Sequence, residues 1–151
     1  MPAPTISIFQ RQRKHRVELA WLRGVLAQAL PLCQAEAKDP AAPLLHLTEI
    51  EASIVSDKTI AKVHADFLGD ATSTDVITFH LGEIVVSADT AAREGSAHGL
   101  AFREELALYL FHGLMHLGGW DDHEAGEALE MKARQEHVLH CCLSESQPSA
   151  T

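Results

Sequence analysis

The sequence predicts a single α+β domain, and two observations carry that expectation. Segments of strand-like and helix-like patterning follow one another without regular β-α alternation, which disfavours a doubly wound sheet. The chain has 151 residues, 46% hydrophobic and 22% charged, which suits one domain with a full core. The domain is expected over residues 1–143, with 144–151 ("SESQPSAT") as a disordered tail, because that segment is small, polar and proline-containing.

The elements follow in order. "TISIFQ" (5–10) alternates apolar and polar residues and predicts a strand. "VELAWLRGVLAQAL" (17–30) predicts a helix, since Leu19, Leu22, Leu26, Ala29 and Leu30 make an apolar stripe. Pro31 is expected to limit it, because proline lacks the N–H that a helix interior uses. Residues 34–43 carry two prolines and read as a loop. The later part of 44–55 predicts a second strand. Ser56 or Asp57 can cap a helix reaching about Phe67, with Ile60 and Val63 inward. Residues 68–73 read as a loop. "DVITFH" and "EIVVS", joined by Leu81-Gly82, predict a hairpin. A short helix is expected over 88–94, broken by Gly95 to Gly99. A central helix follows over 101–117, with Phe102, Leu106, Leu110, Gly113, Leu114 and Leu117 on one face, stopped by Gly118-Gly119. A last helix, about 124–139, carries Leu129, Lys132 and Glu136.

Composition excludes some function classes. The formal net charge of -9 argues against a protein that coats nucleic acid by bulk attraction. Five of the twelve basic residues (Arg11, Arg13, Lys14, Arg16, Arg23) cluster early in the chain. The ordinary reading is a solvated helix entrance; the sharper one is a basic edge facing a polyanion. No apolar run suits a signal peptide or a membrane span. Three cysteines, two of them adjacent, make no disulfide framework, so a cytoplasmic protein with reduced thiols is expected.

The chemistry concentrates in "HGLMHLGGWDDH" (112–123). His112 and His116 stand four apart on the predicted central helix. Four residues turn about 400° and rise about 6 Å, so both imidazoles leave one face. Two ring nitrogens at that separation can share one ion, and zinc suits imidazole ligands. After the Gly-Gly stop a sharp turn can bring His123 back as third ligand, leaving a fourth position open as in catalytic sites. Asp121 and Asp122 have three readings: capping the last helix, orienting a ligand imidazole, or, for Asp122, binding the metal. Metalloproteases with H-E-x-x-H place a glutamate after the first histidine as general base. Here that position is Gly113, which cannot take a proton, so a peptidase is disfavoured.

"HGLMHLGGWDDH" resembles the HGxLHLxGYDH motif of the YbeY family, bacterial metal-dependent endoribonucleases of ribosomal RNA maturation. "TDVITFHLGEIVVSADTAA" (74–92) resembles that family's second block, TDVLSF followed by G-[DE]-I and S-x-D-x-A. "MKARQEHVL" is also similar. The resemblance is clear from about Ile50 to Leu139. It implies a mixed sheet packed with helices, with the metal at one end of the central helix. It also implies one zinc held by His112, His116 and His123, and a cytoplasmic protein. The implied substrate is single-stranded RNA, with a role in 16S ribosomal RNA 3′-end maturation and ribosome quality control, and the small ribosomal subunit as a partner.

The chain departs from the family pattern in two places. One residue is added before the last histidine, so strict register gives Asp122 as third ligand while ligand type gives His123. The expectation is His123, with Asp122 as the alternative, since a loop absorbs an extra residue easily. The family's catalytic arginine falls on Leu68, and the asparagine of the same pattern on His64. No catalytic residue is therefore assigned. Arg93 and Arg103 are weak candidates to supply the cation, and Asp75 and Glu83 to position substrate; the ordinary reading of both carboxylates is a strand-end hydrogen bond. His64 and His80 are proton-carrier candidates by residue type, and their ordinary reading is satisfied loop or strand histidines.

Overall fold

The computed structural model describes residues 4–70, 72 and 74–146. Four strands form one mixed sheet in the order β1-β2-β4-β3. Strand β1 (Thr5–Gln10) and β2 (Glu49–Val55) pair in parallel, and β2 pairs in parallel with β4 (Glu83–Ser87). Strand β3 (Val76–Phe79) pairs antiparallel with β4, in register Val76 to Val86, so the hairpin expected around Leu81-Gly82 forms. Gly82 has φ 106°, and a Cβ there would meet the Glu49 carbonyl at 2.7 Å. Only glycine tolerates both the turn and the contact.

Helix α1 (Leu19–Ala35) continues through Pro31, beyond the expected end. Pro31 sits on the exposed face, while Leu30 and Cys33 on the inner face are buried. Burial of that face outweighs the one hydrogen bond lost at proline. Helix α2 (Asp57–Leu68) starts at Ser56, whose hydroxyl accepts from the Thr59 N–H at 3.2 Å, and ends on Gly69 at φ 73°. Helix α3 (Ala88–His98) also outruns its expected end and includes Gly95. A Cβ at Gly95 would lie 3.2 Å from that of Glu105, so this glycine is a packing residue. The chain breaks instead at Gly99, in the left-handed region.

Helix α4 (Phe102–Leu117) lies at the centre, between the sheet and helices α1, α3 and α5 (Ala125–Ser146). It is enclosed on nearly all sides rather than along the single expected face. From Glu105 to Leu117 only His112 and His116 are not buried. They mark a window in an otherwise covered helix. Gly113, between them, packs on β4 so closely that a Cβ would stand 2.7 Å from Ile84 Cγ2.

Helix α5 runs past the expected end at 139 because Val138, Leu139 and Cys142 extend its buried stripe; Leu129, read as part of its pattern, is 69% exposed. Residues 144–146, placed in the expected tail, belong to this helix, and 147–151 lie outside the described residues. On the other face of the sheet, Ile60 of α2 packs with Val55, Ile77 and Val85. No helix among the described residues is long and apolar enough to cross a membrane.

Candidate metal centre

The two histidines are oriented by their outer nitrogens. His112 Nδ1 lies 2.9 Å from Gln135 Oε1 on α5, and His116 Nδ1 lies 3.0 Å from the Trp120 carbonyl. Both partners are oxygens that only accept, so each imidazole carries its proton on Nδ1. Each Nε2 then presents a lone pair, and the two Nε2 atoms face each other at 2.9 Å. Two lone pairs at that distance repel unless a cation or a shared proton lies between them. Burial first, and then the neighbouring His112, holds the His116 imidazole below its ordinary pKa, which favours the neutral form that can ligate.

Asp122 completes the cluster. Its Oδ2 lies 3.4 Å from His112 Nε2 and 3.8 Å from His116 Nε2. His112, His116 and Asp122 form one of two groups of potential ligands among the described residues. His123 is in the other, with Asp121 and Asp122; its side chain is 90% exposed and its Nε2 faces Asp121 Oδ1 at 3.4 Å. The structure thus brings Asp122 to the histidine pair and places the His123 ring outside it.

The loop earns this shape from its neighbours. Gly119 turns the chain at φ 96°. The Trp120 indole donates to the Glu36 carbonyl at 2.9 Å, and two cations lie over its ring, Lys38 at 5.0 Å and Arg134 at 4.6 Å from the centroid. Asp121 Oδ1 accepts from the Asp122 N–H at 2.7 Å, and the Asp121 N–H donates to Glu127 at 2.7 Å. Asp121 therefore organises the loop before α5, and Asp122 is free to turn inward.

The centre opens onto a cleft of about 450 Å³, lined by His64, Leu68, Thr74, Val76, Ile77, Thr78, His80, His116 and residues 119–123. No lysine or arginine is among them. Leu68 is 59% exposed on this wall. Arg93 is bound to Asp57 at 2.7 Å and borders a separate hollow. Arg103 pairs with Glu18 at 3.2 Å and lies over Trp21; thirteen residues of helix put it about 20 Å from His116. Asp75 accepts from the Val76 N–H at 2.8 Å, a strand-end bond, and borders neighbouring hollows. Glu83 is exposed on β4. Gln135 and the Trp120 clamp were not legible in the sequence, although "MKARQEHVL" contains the glutamine.

A family model described as Endoribonuclease YbeY matches residues 7–142. The Endoribonuclease YbeY of Geobacter sulfurreducens is 32% identical over 149 residues, covering 89% of this chain and 93% of that protein. That of Protochlamydia amoebophila is 40% identical over 104 residues, covering 61% of this chain and 69% of that protein. The solution structure of TM1509 from Thermotoga maritima matches with a TM-score of 0.64 at 22% identity, over 97% of this chain and 100% of that one, a likeness of fold.

Proposed function

The chain belongs to the YbeY endoribonuclease family, and from that premise we propose that it is a zinc-dependent endoribonuclease acting on single-stranded RNA. We assign it to cytoplasmic 16S ribosomal RNA 3′-end maturation and ribosome quality control, with the small subunit as its setting. One observation carries the metal reading: both imidazoles are pinned through Nδ1, so their Nε2 atoms converge at 2.9 Å at the wall of an open cleft.

His112, His116 and Asp122 would hold one ion. The donor set fits it: two neutral imidazoles with free lone pairs and a carboxylate, leaving room on the cleft side. When bound, the ion supplies Lewis acidity, acidifying water and drawing charge from a phosphoryl oxygen. Gln135 and the Trp120 carbonyl fix the ring planes. The absence of glutamate beside His112 remains informative, because Gly113 faces Ile84 and no side chain fits there.

A second reading, hydrolysis of a different substrate, is favoured by the lack of lysine and arginine among the described residues of the cleft. Purified protein incubated with zinc, single-stranded RNA and a peptide library separates the two. Zinc-dependent RNA cleavage, abolished in His116→Ala, is expected. RNA cleavage that persists in His116→Ala would overturn the metal centre, and peptide cleavage without RNA cleavage would overturn the endoribonuclease assignment.

A further inference from the structure

A phosphodiester brings negative charge into a cleft whose described walls hold Asp121 and Asp122 but no lysine or arginine. The imidazoles are the side chains there that can supply positive charge. His116 belongs to the metal cluster, and the His123 ring is 90% exposed beside Asp121. His80 is exposed in the hairpin turn. His64 is different. It is half-buried on α2, and its Nδ1 lies 3.0 Å from the Thr72 carbonyl. A carbonyl only accepts, so Nδ1 carries a proton and the ring is held by that edge. Nε2 is left without a partner among the described residues, on a side chain that lines the cleft. Leu68, four residues on, shares the same helix face and lines the same wall.

We propose that His64 is the phosphate-contacting residue of this cleft, donating from Nε2 to a non-bridging phosphoryl oxygen of the RNA as an imidazolium. The inference rests on the endoribonuclease reading for its substrate, and on the geometry of α2 for its residue. Asp70, in the loop after α2, puts a carboxylate near the ring. Its carboxyl is held below the usual range by the Thr72 bonds, with a smaller contribution from His64. The other titratable groups facing the cleft are His80, His116, Asp121, Asp122 and His123.

The test uses full-length zinc-loaded protein, a single-stranded RNA, and a 2′-O-methyl RNA dodecamer as a binding probe. His64→Asn keeps an amide N–H for the Thr72 carbonyl and deletes the charge. It is expected to lower kcat roughly 100-fold, as loss of a transition-state donor does. It should also remove the fall in probe affinity expected of wild type as pH rises from about 6 to about 8. His64→Lys, with a charge that persists across that range, should retain most activity and flatten the same pH dependence. The double variant His64→Asn, Leu68→Arg should recover activity, since it returns a cation to the same face one turn away.

Wild-type rates and pH dependence in His64→Asn would overturn the proposal. So would equal loss in His64→Lys and His64→Asn with no recovery in the double variant, which would mean that only the ring's shape matters. If wild type cleaves RNA but His64→Asn is neutral, the His64 role fails and the endoribonuclease reading stands. If wild type cleaves no RNA but binds the probe through His64 with the stated pH dependence, the reading fails and the phosphate contact stands.

Discussion

Asp122 and His123 are neighbours in sequence, yet only one turns to the histidine pair. Asp121 accepts both of their backbone N–H groups, at 2.7 and 3.3 Å, and so fixes the turn that separates the two side chains. The consequence is electrostatic. A carboxylate ligand neutralises part of a divalent ion's charge, so its acidifying effect on water is smaller than with three imidazoles. Asp122→Ala is expected to weaken zinc binding more than the roughly 10- to 100-fold seen for outer-shell changes. His123→Ala should leave affinity within a few-fold of wild type. Competition against a chelator of known affinity measures both. A larger loss from His123→Ala would show that the loop rearranges around the ion and that His123 is the ligand.

The starts of α2 and α3 meet in a polar knot that ties these elements together. Asp57 accepts from the Ser87 hydroxyl at 2.6 Å, the Thr90 hydroxyl at 2.7 Å and Arg93 at 2.7 Å. Asp89 accepts from the Asp57 N–H at 2.8 Å and faces His15 Nε2 at 2.9 Å. Burial raises the Asp57 carboxyl, but the three donors outweigh it and the net pKa is below the ordinary value. Asp89 is lowered chiefly by the Asp57 N–H, with His15 adding to it against partial burial. Carboxyls lowered by folding stabilise fully above their unfolded value near 4. That stability is lost as pH falls through the folded value. Asp57→Asn should therefore cost about 1–2 kcal/mol at pH 7, after discounting for partial exposure. Its Tm should also fall less steeply than wild type below about pH 4. Thermal melts between about pH 2 and 7 check both. Parallel slopes for the two proteins would mean that the knot does not carry this pH dependence.

At the scale of the whole molecule, the larger of the two apolar clusters holds together without the histidine cluster. It runs from Leu22 and Leu26 of α1 through Leu106, Leu110, Phe111 and Leu114 of α4 to Met131 and Val138 of α5. The histidine cluster sits at the window of α4, outside that core. Removal of zinc should therefore leave a folded chain with a lower Tm. At free zinc about 100-fold above Kd the linkage is about 2.7 kcal/mol. At roughly 2–4 °C per kcal/mol, the shift is about 5–11 °C. Far-UV circular dichroism and a thermal melt with and without chelator test this. Complete loss of helix signal on chelation would make the centre a structural one.

The sequence alone determined what depends on short-range periodicity. Alternation and turn residues placed every strand and the hairpin, and the four-residue spacing of His112 and His116 fixed their shared face, because helix geometry is local. It also put Gly113, which carries no base, directly after His112, and Leu68 where the family resemblance implies an arginine. Helix ends were misread at Pro31 and Gly95, where the usual breakers are overruled by burial of one face and by close packing on α4. The tertiary structure alone decided which of Asp122 and His123 turns inward, and that Gln135 and the Trp120 carbonyl hold the imidazoles. It also brought His64 to the wall of the same cleft. These pairings join segments from α2, the loop after α4, and α5. Side-chain direction in a loop and contact between distant segments follow from packing, and no spacing rule in the sequence encodes them.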